Sequence, residues 1–300
     1  MTRLAVWVLL LGGVAGAQDA ASAEPIRVML LDGESGGPYH DWPAVSSAIV
    51  QILTETGLFE VFVETLSDSS PADFELDLSR ADVVVMNYDA ADGRWPDSLQ
   101  HAFEAFVSGG GGLVAVHAAD NAFPGWTAFN RMIGIGGWRG RDEDAGPYWY
   151  FQDDRLVADR TPGPAGSHGR REPFLVDVRE PEHPIMQGLP PQWMHGDDEL
   201  YAHLRGPGTD MTVLATAYSD PANAGSGRHE PQLLVLGFGS GRVFHFTFGH
   251  DVRGLSSMDS VVLLQRGTEW AATGTVSQVV PEAFPGAAAP TYYPINAVVR

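Results

Sequence analysis

Hydrophobic runs alternate with helical patterns along the first half of the chain. An apolar run at residues 26–31 ends in the glycine-rich segment Asp-Gly-Glu-Ser-Gly-Gly, and residues 43–54 carry apolar side chains at helical spacing. These patterns predict a buried strand, a loop and a helix, and residues 59–63 predict a second strand. A strand, a helix and a second strand in this order form the repeating unit of a parallel sheet.

The same alternation continues to about residue 116. Residues 81–86 predict a third buried strand, residues 96–108 a helix and residues 113–116 a fourth strand. This order of elements predicts a mainly parallel α/β sheet that is covered by helices on both faces. In such sheets, ligands bind outside the carboxyl ends of the strands.

The second half of the chain is less regular. Residues 138–164 mix glycine, charged and aromatic residues without periodicity, which predicts a long surface excursion or a lid. A closing helix is expected over residues 257–272. Further strands are predicted at residues 173–178, 212–217, 232–238 and 242–248, with Gly239-Ser240-Gly241 joining the last two as a hairpin.

The N-terminus has the pattern of a secretory signal peptide. Arg3 precedes an apolar run of about 11 residues, which is too short for a membrane span of roughly 20 residues, and small residues follow it. We expect a periplasmic or secreted protein without membrane association after cleavage, and an uncleaved N-terminal anchor is the alternative. The expected segments are a signal peptide at 1–17 (cleaved as late as residue 23), a linker at 18–25, one domain at 26–272 and a surface tail at 273–300.

Composition excludes several kinds of chemistry. The chain has no cysteine, and all of its 18 basic residues are arginine. Thiol nucleophiles, thiolate metal sites and lysine Schiff bases are therefore impossible. The net charge of −20 disfavours nucleic acid and anionic lipid as partners and favours a neutral or cationic small molecule, although an arginine-lined pocket could still bind an acid.

Three histidines follow predicted strands at the edge where ligands are expected. His117 follows Leu-Val-Ala-Val, His250 follows Gly249 after the last strand, and His40 lies in the loop after the first strand. Imidazole transfers protons near neutral pH and binds metals. We expect His117 and His250 to be catalytic and His40 to bind substrate, while a divalent metal on all three remains open. Structural histidines, with Asp41 capping a helix, are the alternative reading.

Residues 193–201 and a further histidine complete the candidate site. We expect Glu199 to act as an acid or base, and Asp198 and Tyr201 to bind substrate. His183 is a further expected substrate-binding residue, although the proline after it also fits a purely structural turn. The aromatic side chains that could stack on a sugar are Trp126, Trp138, Tyr148, Trp149 and Trp193. The alternative is that they are core residues, as most tryptophans in such domains are.

The order and spacing of these segments resemble the ThuA-like (trehalose utilisation) family over residues 26–272. The segments that carry the resemblance are Gly-Gly-Leu-Val-Ala-Val-His-Ala-Ala at 111–119, His-Pro-Ile at 183–185, Asp-Glu-Leu-Tyr at 198–201 and Gly-Arg-Val-Phe through Gly-His-Asp at 241–251. The resemblance implies a class I glutamine amidotransferase-like fold, which is a flavodoxin-like three-layer sandwich with a mainly parallel sheet. It also implies a role in the catabolism of trehalose and related sugars, including 3-keto sugars.

The sequence departs from the pattern of this group in two places. His117 occupies the position of the amidotransferase nucleophile, and a chain without cysteine cannot form the thioester that releases ammonia from glutamine. Glutamine amidotransferase activity is therefore excluded. The family also tends to place a histidine shortly after a Gly-Gly-aromatic segment, whereas Gly136-Gly137-Trp138 is followed here by Arg139. Substrate contacts in that loop are accordingly expected to differ.

Three functions are consistent with these features. The first is an exported hydrolase, lyase or isomerase that acts on a trehalose-like or 3-keto sugar and requires no cofactor. The second is a non-catalytic sugar-binding or accessory protein, and the third is a metal-dependent hydrolase of a non-sugar substrate. A small-molecule carbohydrate is the expected partner, and a homo-oligomer remains open.

Overall fold

The computed structural model of the protein describes residues 24–35, 37–66 and 76–296. The predicted signal peptide and the last residues of the predicted tail lie outside this part of the chain. Among the helices in the described ranges, none has both the length and the apolar character that crossing a membrane requires.

Strands and helices follow the predicted order closely in the first half of the chain. The helices are α1 (Trp42–Thr54), α2 (Asp97–Ser108), α3 (Thr127–Ile133), α4 (Val252–Leu255) and α5 (Met258–Thr273). The strands are β1 (Ile26–Asp32), β2 (Phe59–Thr65), β3 (Val83–Met86), β4 (Gly112–Val116), β5 (Tyr148–Gln152), β6 (Arg155–Asp159), β7 (Ser167–His168), β8 (Glu172–Val178), β9 (Gln192–Asp198), β10 (Tyr201–Ala202), β11 (Met211–Tyr218), β12 (His229–Phe238) and β13 (Gly241–Phe246).

The central sheet has the strand order β2-β1-β3-β4-β13-β12-β11-β8-β9. Neighbouring strands from β2 to β13 run parallel, and the strands from β13 to β9 extend the sheet in antiparallel pairs. Strand β5 pairs with β12 and β6, and β7 pairs with β10 in a separate small sheet. The prediction of an α/β fold around a large parallel sheet is confirmed.

The strands β1, β3, β4 and β13 are buried on both faces, which creates three layers. In β1, Val28 and Leu30 belong to the core shared with α1 and α5, whereas Met29 and Leu31 belong to the core shared with α2 and α3. Side chains alternate between the faces of a strand, so a strand between two helical layers must be apolar throughout. This requirement explains the unbroken apolar runs of the sequence.

The excursion predicted at residues 138–164 contains regular structure. Strands β5 and β6 form a hairpin, and the two residues between them, Asp153 and Asp154, have φ angles of 50° and 55°. Positive φ at both central positions is typical of the tight turns that match the twist of a hairpin. The prediction of an irregular segment is wrong here, because the aromatic run of β5 shows no alternation and the turn lacks glycine.

A buried arginine attaches this excursion to the body of the protein. Arg205 is 1% exposed and donates hydrogen bonds of 2.8–3.0 Å to the carbonyl oxygens of Gly146, Thr161 and Gly163. Its guanidinium also lies 3.8 Å from the ring centre of Tyr148. A planar group with five N–H donors can satisfy several carbonyls at once, which a single ammonium cannot.

We expect Arg205→Lys to lower the free energy of unfolding by about 1–3 kcal/mol, because buried carbonyls would lose their donors. Urea unfolding followed by circular dichroism measures this change. The matched control is Arg155→Lys at an exposed position of β6, which should change the free energy by no more than about 0.5 kcal/mol. Equal losses in the two variants would contradict the proposed anchoring.

Candidate functional site

The register of two parallel strands fixes the position of His117. Val116 at the end of β4 pairs with Phe246 at the end of β13, so the residues after both strands emerge side by side. Nδ1 of His117 lies 2.7 Å from the carbonyl oxygen of Thr247. A carbonyl can only accept, so Nδ1 carries the proton and Nε2 presents its lone pair. Nε2 is buried and has no hydrogen-bond partner within the described ranges.

The backbone at His117 is in the left-handed region. Its φ is 44°, at the first residue of a short 3-10 helix that ends the strand. Such a conformation in a residue other than glycine costs about 1–2 kcal/mol and persists only where the surroundings impose it. The ring of Tyr201, whose centre lies 4.2 Å from that of His117, packs against the imidazole and holds it in place.

Three imidazoles converge at this edge of the sheet. The ring centres of His40, His117 and His250 are 4.9–5.4 Å apart, and one nitrogen from each ring lies within 4.8 Å of the others. His40 immediately precedes Asp41, the N-cap of α1, whose carboxylate accepts a hydrogen bond of 3.2 Å from the Ala44 amide. The structure therefore brings together the three histidines that the sequence placed after separate strands. These rings are close enough to hold a metal ion.

A carboxylate lies among the imidazoles. Oε2 of Glu199 is 3.1 Å from Nδ1 of His250, 3.6 Å from Nε2 of His168 and 3.8 Å from Nε2 of His117. Glu199 is only 8% exposed. A carboxylate in a poorly solvated position beside several imidazoles is suited to proton transfer.

Asp198 supports this arrangement from behind. Its buried carboxylate accepts hydrogen bonds of 2.6 Å from the Gly249 amide and 3.1 Å from the His250 amide. It also lies 3.1 Å from Nε2 of His195, whose Nδ1 is 2.8 Å from Asp259. The carboxylate of Asp198, a predicted substrate-binding residue, thus binds the protein's own backbone, and Asp198 does not line the cavity next to His40 and His250.

The imidazoles of the cluster differ in their pKa values. Burial, together with the nearby His250, lowers the pKa of His40 to about 4, and burial lowers the pKa of His117 well below its ordinary value. Burial alone would lower the pKa of His250, but Glu199 and then the acidic neighbours Asp198 and Asp251 raise it. His40 and His117 are therefore neutral at physiological pH, and charge is favoured at His250.

His40, His250 and Glu199 face a cavity of about 670 Å³, a volume in the usual range for small-molecule sites. One wall is aromatic, with the Trp138 and Tyr201 ring centres 4.6 Å apart. Arg139, which follows Trp138 in the loop where the family tends to have a histidine, donates a 2.6 Å hydrogen bond from Nε to Asp89. The lining residues are Gly37, Tyr39, His40, Asp89, Asn121, Trp138, Arg139, His168, Glu199, Tyr201 and His250.

Four of the predicted site residues line this cavity: His40, Glu199, Tyr201 and His250. His117 and Asp198 contact these residues without lining it. His183 lies elsewhere: its ring packs against Trp270 of α5, with ring centres 4.9 Å apart, and its Nδ1 accepts a hydrogen bond from the Ile185 amide. The turn that follows β8 carries it onto the helical layer. The location of His183 favours the structural reading of the His-Pro turn.

Sequence reasoning missed several residues of the site. Asp89 follows β3 at the same edge of the sheet, so the rule that identified His117 could have identified it as well. His168 reaches Glu199 from β7, a strand of two residues that carries no sequence signal. His195 and Asp259 form a buried pair between distant segments, which periodicity cannot reveal.

Fold and site together define an α/β sandwich protein with a histidine- and carboxylate-lined cavity at the carboxyl edge of its sheet. The chain belongs to the ThuA family, described as trehalose utilisation, whose sequence model matches residues 27–271. The family supports a role related to trehalose utilisation in general.

Solved structures agree with this membership. A ThuA-like protein from Parabacteroides merdae is 41% identical, with a TM-score of 0.86, and the match covers 90% of this chain and 98% of that one. A ThuA-like protein from Bacteroides uniformis has 16% identity and a TM-score of 0.57, with 86% and 96% covered, and shares the fold. Among curated protein sequences, none matches the chain significantly.

The buried His195 network predicts a pH dependence of stability. Burial opposes charge on His195, but Asp259 and Asp198 outweigh it and raise its pKa from 6.5 to about 9. A raised pKa contributes stability that is fully present below pH 6.5 and is lost as the pH rises through about 9. We expect the free energy of unfolding to fall over this interval in urea titrations.

The variant Asp259→Asn removes the carboxylate that contributes most to this raised pKa and should flatten the decline. Asp153→Asn, in the exposed turn between β5 and β6, is the matched control and should keep the original pH profile. An unchanged decline in Asp259→Asn would show that other groups cause it.

Proposed function

We propose that the protein is an exported enzyme that acts on a trehalose-like or 3-keto sugar in the cavity at the carboxyl edge of its sheet. The observation that carries this proposal is the contact of one Glu199 oxygen with His250, His168 and His117 at 3.1–3.8 Å. A carboxylate shared among imidazoles can move a proton to or from a bound substrate. The signal-peptide pattern at the N-terminus supports export.

The walls of the cavity suit a neutral polyol. Asp89, Asn121 and Arg139 supply donors and acceptors for hydroxyl groups, and the partly buried Trp138 offers an aromatic face. Sugars bind through such combinations of directional hydrogen bonds and apolar stacking. The net charge of −20 also favours a neutral substrate over an anionic one.

The roles follow from the positions of the groups. Glu199 transfers the proton, and the rings of His117 and His250 define where the reacting oxygen of the substrate lies. Tyr201 packs against His117 and keeps that ring oriented. Since the chain has neither cysteine nor lysine, no thioester or Schiff base takes part in the reaction.

Glu199→Gln should lower kcat by about 10²–10⁴-fold, because glutamine keeps the shape of the side chain but cannot transfer a proton. Turnover of trehalose, 3-keto trehalose and 3-keto glucosides is followed by NMR. The matched control Glu182→Gln removes the same charge from an exposed position outside the cavity lining and should leave kcat unchanged.

Two results would remove the catalytic proposal. One is a folded His117→Ala variant that turns over each of these sugars as fast as the unmodified protein does. The other is calorimetric binding of a sugar without any product, which would instead support a non-catalytic sugar-binding protein.

Trp138→Ala should raise KM by about 10-fold with little change in kcat, since loss of an aromatic contact is worth roughly 1.4 kcal/mol. Trp138→Phe retains an aromatic face and should recover most of the affinity. Initial-rate kinetics on the same sugars measure both variants. A loss confined to kcat would contradict a stacking role.

A further inference from the structure

We infer that His40, His117 and His250 together bind one divalent cation of the zinc class. The same residues lie in the proposed sugar site, but cation binding can be measured without any substrate. This inference concerns the three histidine side chains as metal ligands, and it does not depend on the identity of the sugar.

The geometry of the three rings is close to that of a metal site. One nitrogen from each ring lies within 4.8 Å of the others. Nitrogen ligands of a tetrahedral zinc ion are about 3.4 Å apart, given zinc–nitrogen distances of roughly 2.1 Å. Small rotations of the side chains would therefore complete the coordination, and no movement of the strands is required.

The hydrogen-bonding state of the rings supports the same conclusion. Nδ1 of His117 donates to the carbonyl oxygen of Thr247, which leaves the Nε2 lone pair available to a cation. Histidine ligands of metals commonly donate their second ring nitrogen in this way, which fixes the tautomer. Thr247 thus takes the position of an outer-shell partner.

Two nitrogens of the cluster lack other partners. Nε2 of His117 and Nδ1 of His40 are buried without a hydrogen-bond partner in the described part of the chain, and His117 is only 2% exposed. A buried polar atom without a partner costs about 1–3 kcal/mol. A cation bound by both atoms would remove this cost.

The donor set indicates the class of cation. Imidazole nitrogens favour zinc and similar transition metals over magnesium and calcium, which prefer oxygen ligands, and a bound cation would displace any proton from the ligating nitrogen of His250. Three protein ligands leave a fourth position open, and Glu199 lies beside the rings of His117 and His250. A cation held there would polarise a carbonyl or hydroxyl oxygen of a bound substrate.

The test uses the full mature chain, purified without a histidine tag and treated with a chelator. Calorimetric titration with zinc chloride should give one ion per chain, and elemental analysis after dialysis should give the same ratio. Zinc should also raise the melting temperature, because a ligand that binds only the folded state stabilises it.

Single variants identify the ligands. His40→Ala and His250→Ala should each weaken zinc binding by about 100-fold or more and abolish the rise in melting temperature. The matched control His101→Ala removes an exposed histidine of α2 and should bind zinc as the unmodified protein does. Circular dichroism verifies that each variant is folded, and His40 lies in a loop where replacement should leave the core intact.

Absence of stoichiometric zinc in the folded protein would overturn the inference, as would unchanged binding in both His40→Ala and His250→Ala. The outcomes also separate this inference from the proposed function. Zinc binding without turnover of any sugar would retain the cation site and remove the sugar enzyme. Full turnover by a chelated protein that also fails to take up zinc in the titration would remove the cation site and retain the enzyme.

Discussion

The buried carboxylate of Asp198 fixes the positions of the groups on which the site depends. It accepts hydrogen bonds from the amides of Gly249 and His250 and contacts the ring of His195. A Cβ at Gly254 would lie 2.5 Å from this carboxylate, so the surrounding backbone closes tightly around it. Burial of a charged carboxylate is costly unless several donors satisfy it. These hydrogen bonds connect the end of β9 to the loop after β13. They thereby position the backbone so that the Glu199 carboxylate contacts His250.

Much of the site could be predicted because one rule of parallel sheets applies to its main residues. His40, His117 and His250 follow β1, β4 and β13, and the carboxyl ends of these parallel strands lie at one edge. The unbroken apolar runs of the strands were sufficient to locate these ends in the sequence. Apolar spacing located α1, α2 and α5 as well, because each buries one face against the sheet, whereas the short helices α3 and α4 were not predicted.

The parts that could not be predicted depend on contacts between segments with no local pattern. His168 meets Glu199 through the pairing of β7 with β10, each only two residues long. The pair of His195 and Asp259 spans 64 positions of sequence and is buried, so neither composition nor spacing indicates it. His183 is a residue that was predicted to bind substrate but lies outside the site. Its motif suggested substrate binding, whereas its ring packs on Trp270.

The excursion after α3 has a consequence for how this architecture can diversify. Trp138 and Arg139 at the start of the excursion, and His168 shortly after it, form part of the cavity wall, whereas His40 and His250 come from the edge of the sheet. Arg205 lies outside the excursion and holds it through the backbone carbonyls of Gly146, Thr161 and Gly163, which exist whatever side chains those positions carry. Such a segment can exchange its side chains without loss of attachment. Selectivity and reactivity could therefore evolve separately in this chain.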